Sequence, residues 1–183
     1  MAGSQSYQLT DVPLIPQALD MACWYASAQM LVAWRRNRNR MCEGAHPDPS
    51  NIPTLEATFV ANDGLATSKI IDLAKQLGLQ EVPPITPSPG AIATMLKQYG
   101  PLWFAGLHPS GHVVVITGIN SDSVVINDPW PPKQGTVREI SLTRFGEVNV
   151  PLAYKKKDTL IDKIKVLLDL QPSQLAANLL HFP

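Results

Sequence analysis

A cysteine that opens a predicted helix is the first residue in this sequence whose position favours nucleophilic chemistry. Cys23 begins an amphipathic segment, with apolar residues at three- and four-residue spacing, that predicts a helix through about Arg36. At a helix N-terminus a cysteine faces the positive end of the helix dipole and several free backbone N–H groups, and both stabilise a thiolate. This position alone is weak evidence, because free cysteines are commonly buried apolar residues.

His112 is the candidate base for that thiol. It precedes the apolar run Val113–Gly118, which places the imidazole at the rim of a predicted sheet, where it can meet the end of a helix. Gly111, just before it, permits close approach of backbone or ligand. His46 and His108 lie in loops that contain proline, and we interpret them as satisfied by local hydrogen bonds.

A carboxylate is expected beside this histidine. The runs Val113–Ile119 and Val124–Asn127 predict an antiparallel hairpin, which returns Asp128 to the side of His112. A carboxylate there would accept a hydrogen bond from the imidazole, fix its tautomer and stabilise the imidazolium that forms with a thiolate. Asn127 is the alternative orienting residue, because alternation along a strand lets only one of the two face the histidine.

An oxyanion donor is expected in the segment before the cysteine. Gln17 lies six residues before Cys23, and its side-chain amide, with the backbone N–H of Cys23, could hold a developing oxyanion. Trp24, Gly111, Asn127 and Trp130 are the expected neighbours of this site.

The order and types of these residues resemble the site of papain-like cysteine peptidases. That superfamily combines a glutamine, a cysteine followed by tryptophan, a glycine–histidine pair, and an asparagine or aspartate near a tryptophan. The matching positions here are Gln17, Cys23-Trp24, Gly111-His112 and Asp128-Trp130. The chain is most similar to compact bacterial members, such as plant-pathogen avirulence peptidases and interbacterial toxins. An aspartate at 128 also resembles bacteriocin-processing peptidases, whereas papain has asparagine there.

The secondary structure that must position these residues is predicted to change from helices to strands near residue 100. Helical patterns come first, over about 23–36, 53–60, 67–77 and 90–99. Apolar and β-branched runs then predict strands over 102–107, 113–119, 124–127, 136–140 and 148–154. This order indicates an α+β fold, and the resemblance implies that an N-terminal helical lobe, with the nucleophile at a helix N-terminus, packs on a C-terminal antiparallel sheet.

The same patterns predict the division of the chain. Residues 1–10 are expected to form a tail, and 11–157 a peptidase domain with a helical lobe (11–100) and a β lobe (101–157). Residues 158–183 are expected to form a helical extension, in which Leu175, Leu179 and Leu180 continue the amphipathic spacing.

The amino-acid composition of the chain argues against several classes of partner. Lys+Arg and Asp+Glu both number 15, so the chain lacks the bulk charge that binds nucleic acid or anionic membranes. No segment reaches the roughly 20 apolar residues of a membrane span, and the N-terminus lacks the features of a secretory signal. With two cysteines and no paired His/Cys spacing, we expect neither a metal nor another cofactor.

The resemblance implies a cysteine endopeptidase that cleaves a protein substrate through a Cys23 thioester. It implies a protein made in the bacterial cytoplasm and delivered into a target cell by a specialised secretion system, with a cognate immunity or inhibitor protein as partner. A deamidase or transferase using the same Cys–His pair is the alternative. A non-catalytic peptide-binding module is disfavoured, because both nucleophile and base are present. Cys42 is either an inert thiol or a redox partner of Cys23.

Overall fold

The computed structural model describes residues 6–38, 47–81, 88–106, 111–148 and 179–181. Five α-helices are present in these ranges: α1 (Cys23–Arg38), α2 (Pro53–Val60), α3 (Ile70–Leu77), α4 (Pro89–Tyr99) and α5 (Leu142–Val148). The same ranges contain seven strands: β1 (Ser6–Gln8), β2 (Gln80–Glu81), β3 (Leu102–Ala105), β4 (Val113–Asn120), β5 (Ser123–Asp128), β6 (Thr136–Ser141) and β7 (Leu179–His181). The predicted α+β fold, with helices before an antiparallel sheet, is confirmed.

All strand pairs of the sheet are antiparallel, in the order β2-β7-β3-β4-β5-β6. One edge of β4 pairs with β3 along its first half and with β1 along its second half. Residues 1–10 were expected to form a tail, but Ser6–Gln8 form strand β1 of the sheet. A strand of three residues is too short to show a periodic pattern. Its partner strand lies more than a hundred residues further along the chain, so the pairing has no local signal either.

Helices cover both faces of the sheet. Successive side chains of a strand point to opposite faces, so Trp103 and Val115 pack against the buried side of α1 and α3. Phe104 and Ile116 point the other way and pack against α4. The central strands are therefore buried on both faces, which explains why their sequences are continuously apolar.

Gly100 brings the end of α4 close to α1. Its φ is +84°, and a Cβ at this position would lie 2.1 Å from the ring of Trp34. Only glycine tolerates both the backbone conformation and this close approach. The chain can therefore turn here from α4 into β3, directly beneath the helix that begins at Cys23.

The C-terminal segment differs from its prediction. Leu179 and Leu180 were expected in a helix but belong to β7, where they pair with Phe104 and Trp103 of β3. This pairing satisfies the backbone groups on the outer edge of β3, a long-range requirement that helical spacing does not reveal. Residues 149–178, including most of the last predicted strand and of the helical extension, lie outside the described residues, as do Cys42, His46 and His108.

Membrane insertion by a helix has no support in the described ranges, where no helix combines the length and apolar character that a bilayer span requires.

Candidate active site

Cys23 is the first residue of α1, as the sequence predicts. Two backbone hydrogen bonds attach the segment before it to the loop after β5. The N–H of Gln17 donates to the carbonyl of Pro129 (3.1 Å), and the N–H of Lys133 donates to the carbonyl of Gln17 (2.9 Å). The start of α1 and the end of β5 are therefore held together by main chain, independently of the side chains between them.

Buried side chains fix α1 on the sheet. The indole N–H of Trp103 donates to the carbonyl of Trp24 (3.1 Å), and the hydroxyl of Ser27 donates to the carbonyl of Val113 (3.3 Å). Trp24 is itself buried, and its indole N–H donates to the carbonyl of Asp63 (3.1 Å). Both the first turn of α1 and the start of β4, which follows His112, are thus held in place.

The structure brings Cys23, His112 and Asp128 together. Nε2 of His112 lies 2.7 Å from Oδ1 of Asp128, and the side chain of Cys23 is near enough to the ring to act on its pKa. A carboxylate can only accept, so Nε2 carries the hydrogen of the first bond. Nδ1 is then the ring nitrogen left for the thiol. The imidazole lies between the sulfur and the carboxylate.

These contacts change the pKa of His112. Burial alone would lower this pKa, because it disfavours the charged ring. The hydrogen bond with Asp128 and the interactions of the ring with the charges of Asp128 and Cys23 outweigh burial and raise the pKa of His112 to about 9. The site therefore favours an imidazolium at neutral pH.

The pKa of Asp128 moves in the opposite direction. Burial alone would raise it, but the hydrogen bond from His112, the backbone N–H of Trp130 and the charges of His112 and Arg138 outweigh that effect and lower it. The N–H of Trp130 lies 2.9 Å from Oδ1. On the other oxygen, Nη2 of Arg138 donates to Oδ2. Asp128 is consequently held as a carboxylate with three donors.

Sequence reasoning missed Arg138. The residue lies on β6, where Thr136 pairs with Asp128 and Arg138 pairs with Ile126. One signal was available: a buried carboxylate needs donors on both oxygens, and the strand after Asp128 carries a basic residue. The register of β5 against β6, which decides the contact, cannot be read from the sequence.

Asn127 faces away from the histidine. Its amide nitrogen donates to the carbonyls of Val12 (3.3 Å) and Pro13 (3.4 Å), in the segment that leads to α1. Of the two alternatives for the residue beside His112, the structure therefore places Asp128 there. Asn127 contacts the lead-in instead.

Gln17 differs from its expected orientation. Its side chain is buried, and Nε2 donates to the carbonyls of Leu19 and Asp20, both at 2.8 Å. Only the nitrogen of an amide can donate to two carbonyl oxygens, so both N–H groups are occupied by the turn before Cys23. Its Oε1 has no hydrogen-bond partner among the described residues. In this arrangement Gln17 has no free N–H for an oxyanion.

A cleft of about 470 Å³ opens beside Cys23 and His112. Gly111, with φ of +81°, lies on its rim next to the histidine. The apolar part of the lining comes from Met21, Trp24, Leu65, Ala66, Ile70, Trp103, Ala105 and Val113. Trp130, the remaining predicted neighbour, is exposed and is linked to the site through its backbone bond to Asp128.

An antiparallel sheet with a histidine at its rim, facing a cysteine at a helix N-terminus, is the arrangement of a papain-like cysteine peptidase. The sequence model of the family described as papain-like cysteine protease AvrRpt2 matches residues 6–149. The chain belongs to this family. No curated protein matches the chain at a significant level. The resemblance seen in the sequence is confirmed, as is the enzyme class, a cysteine peptidase. The match begins at residue 6, where β1 begins.

Proposed function

We propose that the protein is an endopeptidase that cleaves a protein substrate through a thioester on Cys23. The observation that supports this most strongly is the position of His112 between the Cys23 side chain and Asp128. In the first step the Cys23 thiolate attacks the carbonyl carbon of the scissile bond. As the C–N bond breaks, the His112 imidazolium gives a proton to the leaving amine, which departs as the new N-terminus.

Water completes the reaction. Neutral His112 takes a proton from a water molecule, whose oxygen attacks the thioester carbonyl. The C–S bond breaks, the acid product leaves, and the thiolate–imidazolium pair forms again. Asp128 keeps the ring oriented and stabilises its positive charge throughout.

The backbone N–H of Cys23 is the proposed donor to the oxyanion. The first N–H groups of an α-helix have no acceptor within the helix, so this one can point at a developing negative charge. Gln17 supports that donor by holding the carbonyls of Leu19 and Asp20 in the preceding turn.

For the biological setting we propose a bacterial effector or interbacterial toxin. Its resemblance to avirulence peptidases supports synthesis in the bacterial cytoplasm, delivery into another cell by a specialised secretion system, and an immunity or inhibitor protein as partner. The substrate is then a protein of the target cell, either folded or with an exposed loop.

The test of the proposed reaction is a comparison of new protein N-termini in a target-cell lysate. The unmodified protein is expected to generate new N-termini that Cys23→Ala does not, whereas Cys42→Ala, the matched control, retains the activity. Release of ammonia from glutamine side chains without chain cleavage would instead indicate a deamidase. If neither product depends on Cys23, the proposed chemistry is wrong.

A further inference from the structure

The Asp128 carboxylate contacts more donors than orientation of a histidine requires. Oδ1 accepts from His112 and from the N–H of Trp130, while Oδ2 accepts from Arg138. Arg138 is the one partner of Oδ2 in the part of the chain that the structure describes. Without it, a buried anionic oxygen would lose its donor and the carboxylate would be freer to rotate about its Cβ–Cγ bond.

Strand register explains how an edge residue reaches this buried group. Asp128 lies opposite Thr136, and Arg138 follows Thr136 by two residues on β6, so both side chains project from the same face. Diagonal neighbours in an antiparallel pair are within reach of long side chains. The side chain of Arg138 is 50% exposed, but the carboxylate it contacts is only 3% exposed. Water therefore screens this contact less than it screens an ordinary surface ion pair.

We infer that Arg138 is a positioning residue of the peptidase site, which fixes the rotation of the Asp128 carboxylate so that Oδ1 stays on His112. The inference rests on the proposed function, since the orientation of His112 affects catalysis only if the ring serves Cys23. It also explains why an aspartate suits position 128 better than an asparagine would.

An asparagine would be poorly matched to these neighbours. Its amide has one acceptor oxygen and one donor nitrogen. With Arg138 donating from one side and Nε2–H of His112 from the other, the amide nitrogen would face a donor in either orientation. Arg138 therefore makes a group with two acceptor oxygens necessary at this position.

The test is a double-mutant cycle with Arg138→Gln and Asp128→Asn. The readout is the rate constant at which the epoxide inhibitor E-64 modifies Cys23 at pH 6, with the site mapped by mass spectrometry. Arg138→Gln is expected to lower this rate about tenfold in the native background, within the usual range for coupled contacts. In the Asp128→Asn background it should cause no further loss, because the guanidinium no longer has a carboxylate to hold.

Two single variants control for charge and geometry. Arg138→Lys keeps a cationic donor and should recover part of the rate. Arg144→Gln removes the same charge from α5, beyond the far end of β6, and should leave the rate unchanged. Thermal melting of each variant checks that it is folded.

A second measurement does not depend on cysteine reactivity. The carboxyl of Asp128 can be titrated by carbon-13 NMR, and Arg138→Gln should raise its pKa, because a cation and a donor to the charged form are lost. Arg144→Gln should not change it. Equal losses of rate in both backgrounds, or an unchanged Asp128 titration, would overturn the inference. Failure of the unmutated protein to react with E-64 would count against the proposed peptidase, while the carboxyl titration would still test Arg138.

Discussion

His112 is the single residue on which the chemistry depends most. Its pKa is raised to about 9 although burial opposes the charge, so its partners must stabilise the imidazolium strongly. The ring is thus available as a proton donor at neutral pH and loses that role as the pH rises through about 9. The basic side of the activity profile should report this titration.

Removing the carboxylate should shift that titration. Asp128→Ala is expected to lower the pKa of His112 towards its ordinary value of 6.5, because an acceptor and a negative charge are lost beside the imidazolium. The basic limb of activity should move to lower pH in parallel. The measurement is an NMR titration of the imidazole in both proteins. Asp122→Ala, which removes an exposed carboxylate at the other end of the hairpin, is the control, and an equal effect of the two variants would contradict the expectation.

The Gln17 side chain is expected to stabilise the turn before Cys23. Both of its amide N–H groups donate to backbone carbonyls, so Gln17→Ala should lower the free energy of unfolding by about 1–3 kcal/mol, the usual worth of two intramolecular hydrogen bonds. Urea unfolding measures this change directly. A residue that only donates to the oxyanion would leave stability unchanged and would affect peptide hydrolysis alone. That outcome would restore the original expectation for Gln17.

Among the elements, α1 carries the nucleophile and depends on its contact with β3. Trp103 fills the interface and donates its indole N–H to the Trp24 carbonyl (3.1 Å). The first turn of α1 is therefore fixed by a residue that lies 79 positions beyond Trp24 along the chain.

Trp103→Phe should destabilise the protein. The substitution removes the hydrogen bond and leaves a cavity beneath α1, with an expected cost on the order of 2–4 kcal/mol in urea unfolding. Trp130→Phe makes the same change at an exposed side chain and should alter stability by less than about 0.5 kcal/mol. Similar costs for the two variants would show that the contact between Trp103 and Trp24 is not important for stability.

Across the whole molecule, the helices and strands that the sequence predicts correctly are those whose residue pattern lies within one short stretch of the chain. The helix from Cys23 has amphipathic spacing, and the β4–β5 hairpin has two apolar runs joined by a short turn. Together they suffice to place Cys23, His112 and Asp128 in one region. The short strands β1 and β7 were missed because their partners are distant in sequence and three residues carry no periodicity.

The directions in which side chains point are the other features that the sequence does not predict. Whether Asn127 or Asp128 faces His112 depends on which face of β5 meets the ring, and the contact of Arg138 depends on register with β6. The orientation of the Gln17 amide depends on two nearby carbonyls. None of these follows from residue types and spacing alone.

The central claim is that Cys23 and His112 form a reactive thiolate–imidazolium pair. The most direct test is the rate of iodoacetamide modification at pH 6, mapped to each cysteine and compared with N-acetylcysteine. Cys23 should react much faster than Cys42 and the free thiol, which at about pH 6 is almost entirely protonated. His112→Ala should remove most of this advantage. If Cys23 reacts no faster than the free thiol and His112→Ala changes nothing, the proposed mechanism is contradicted.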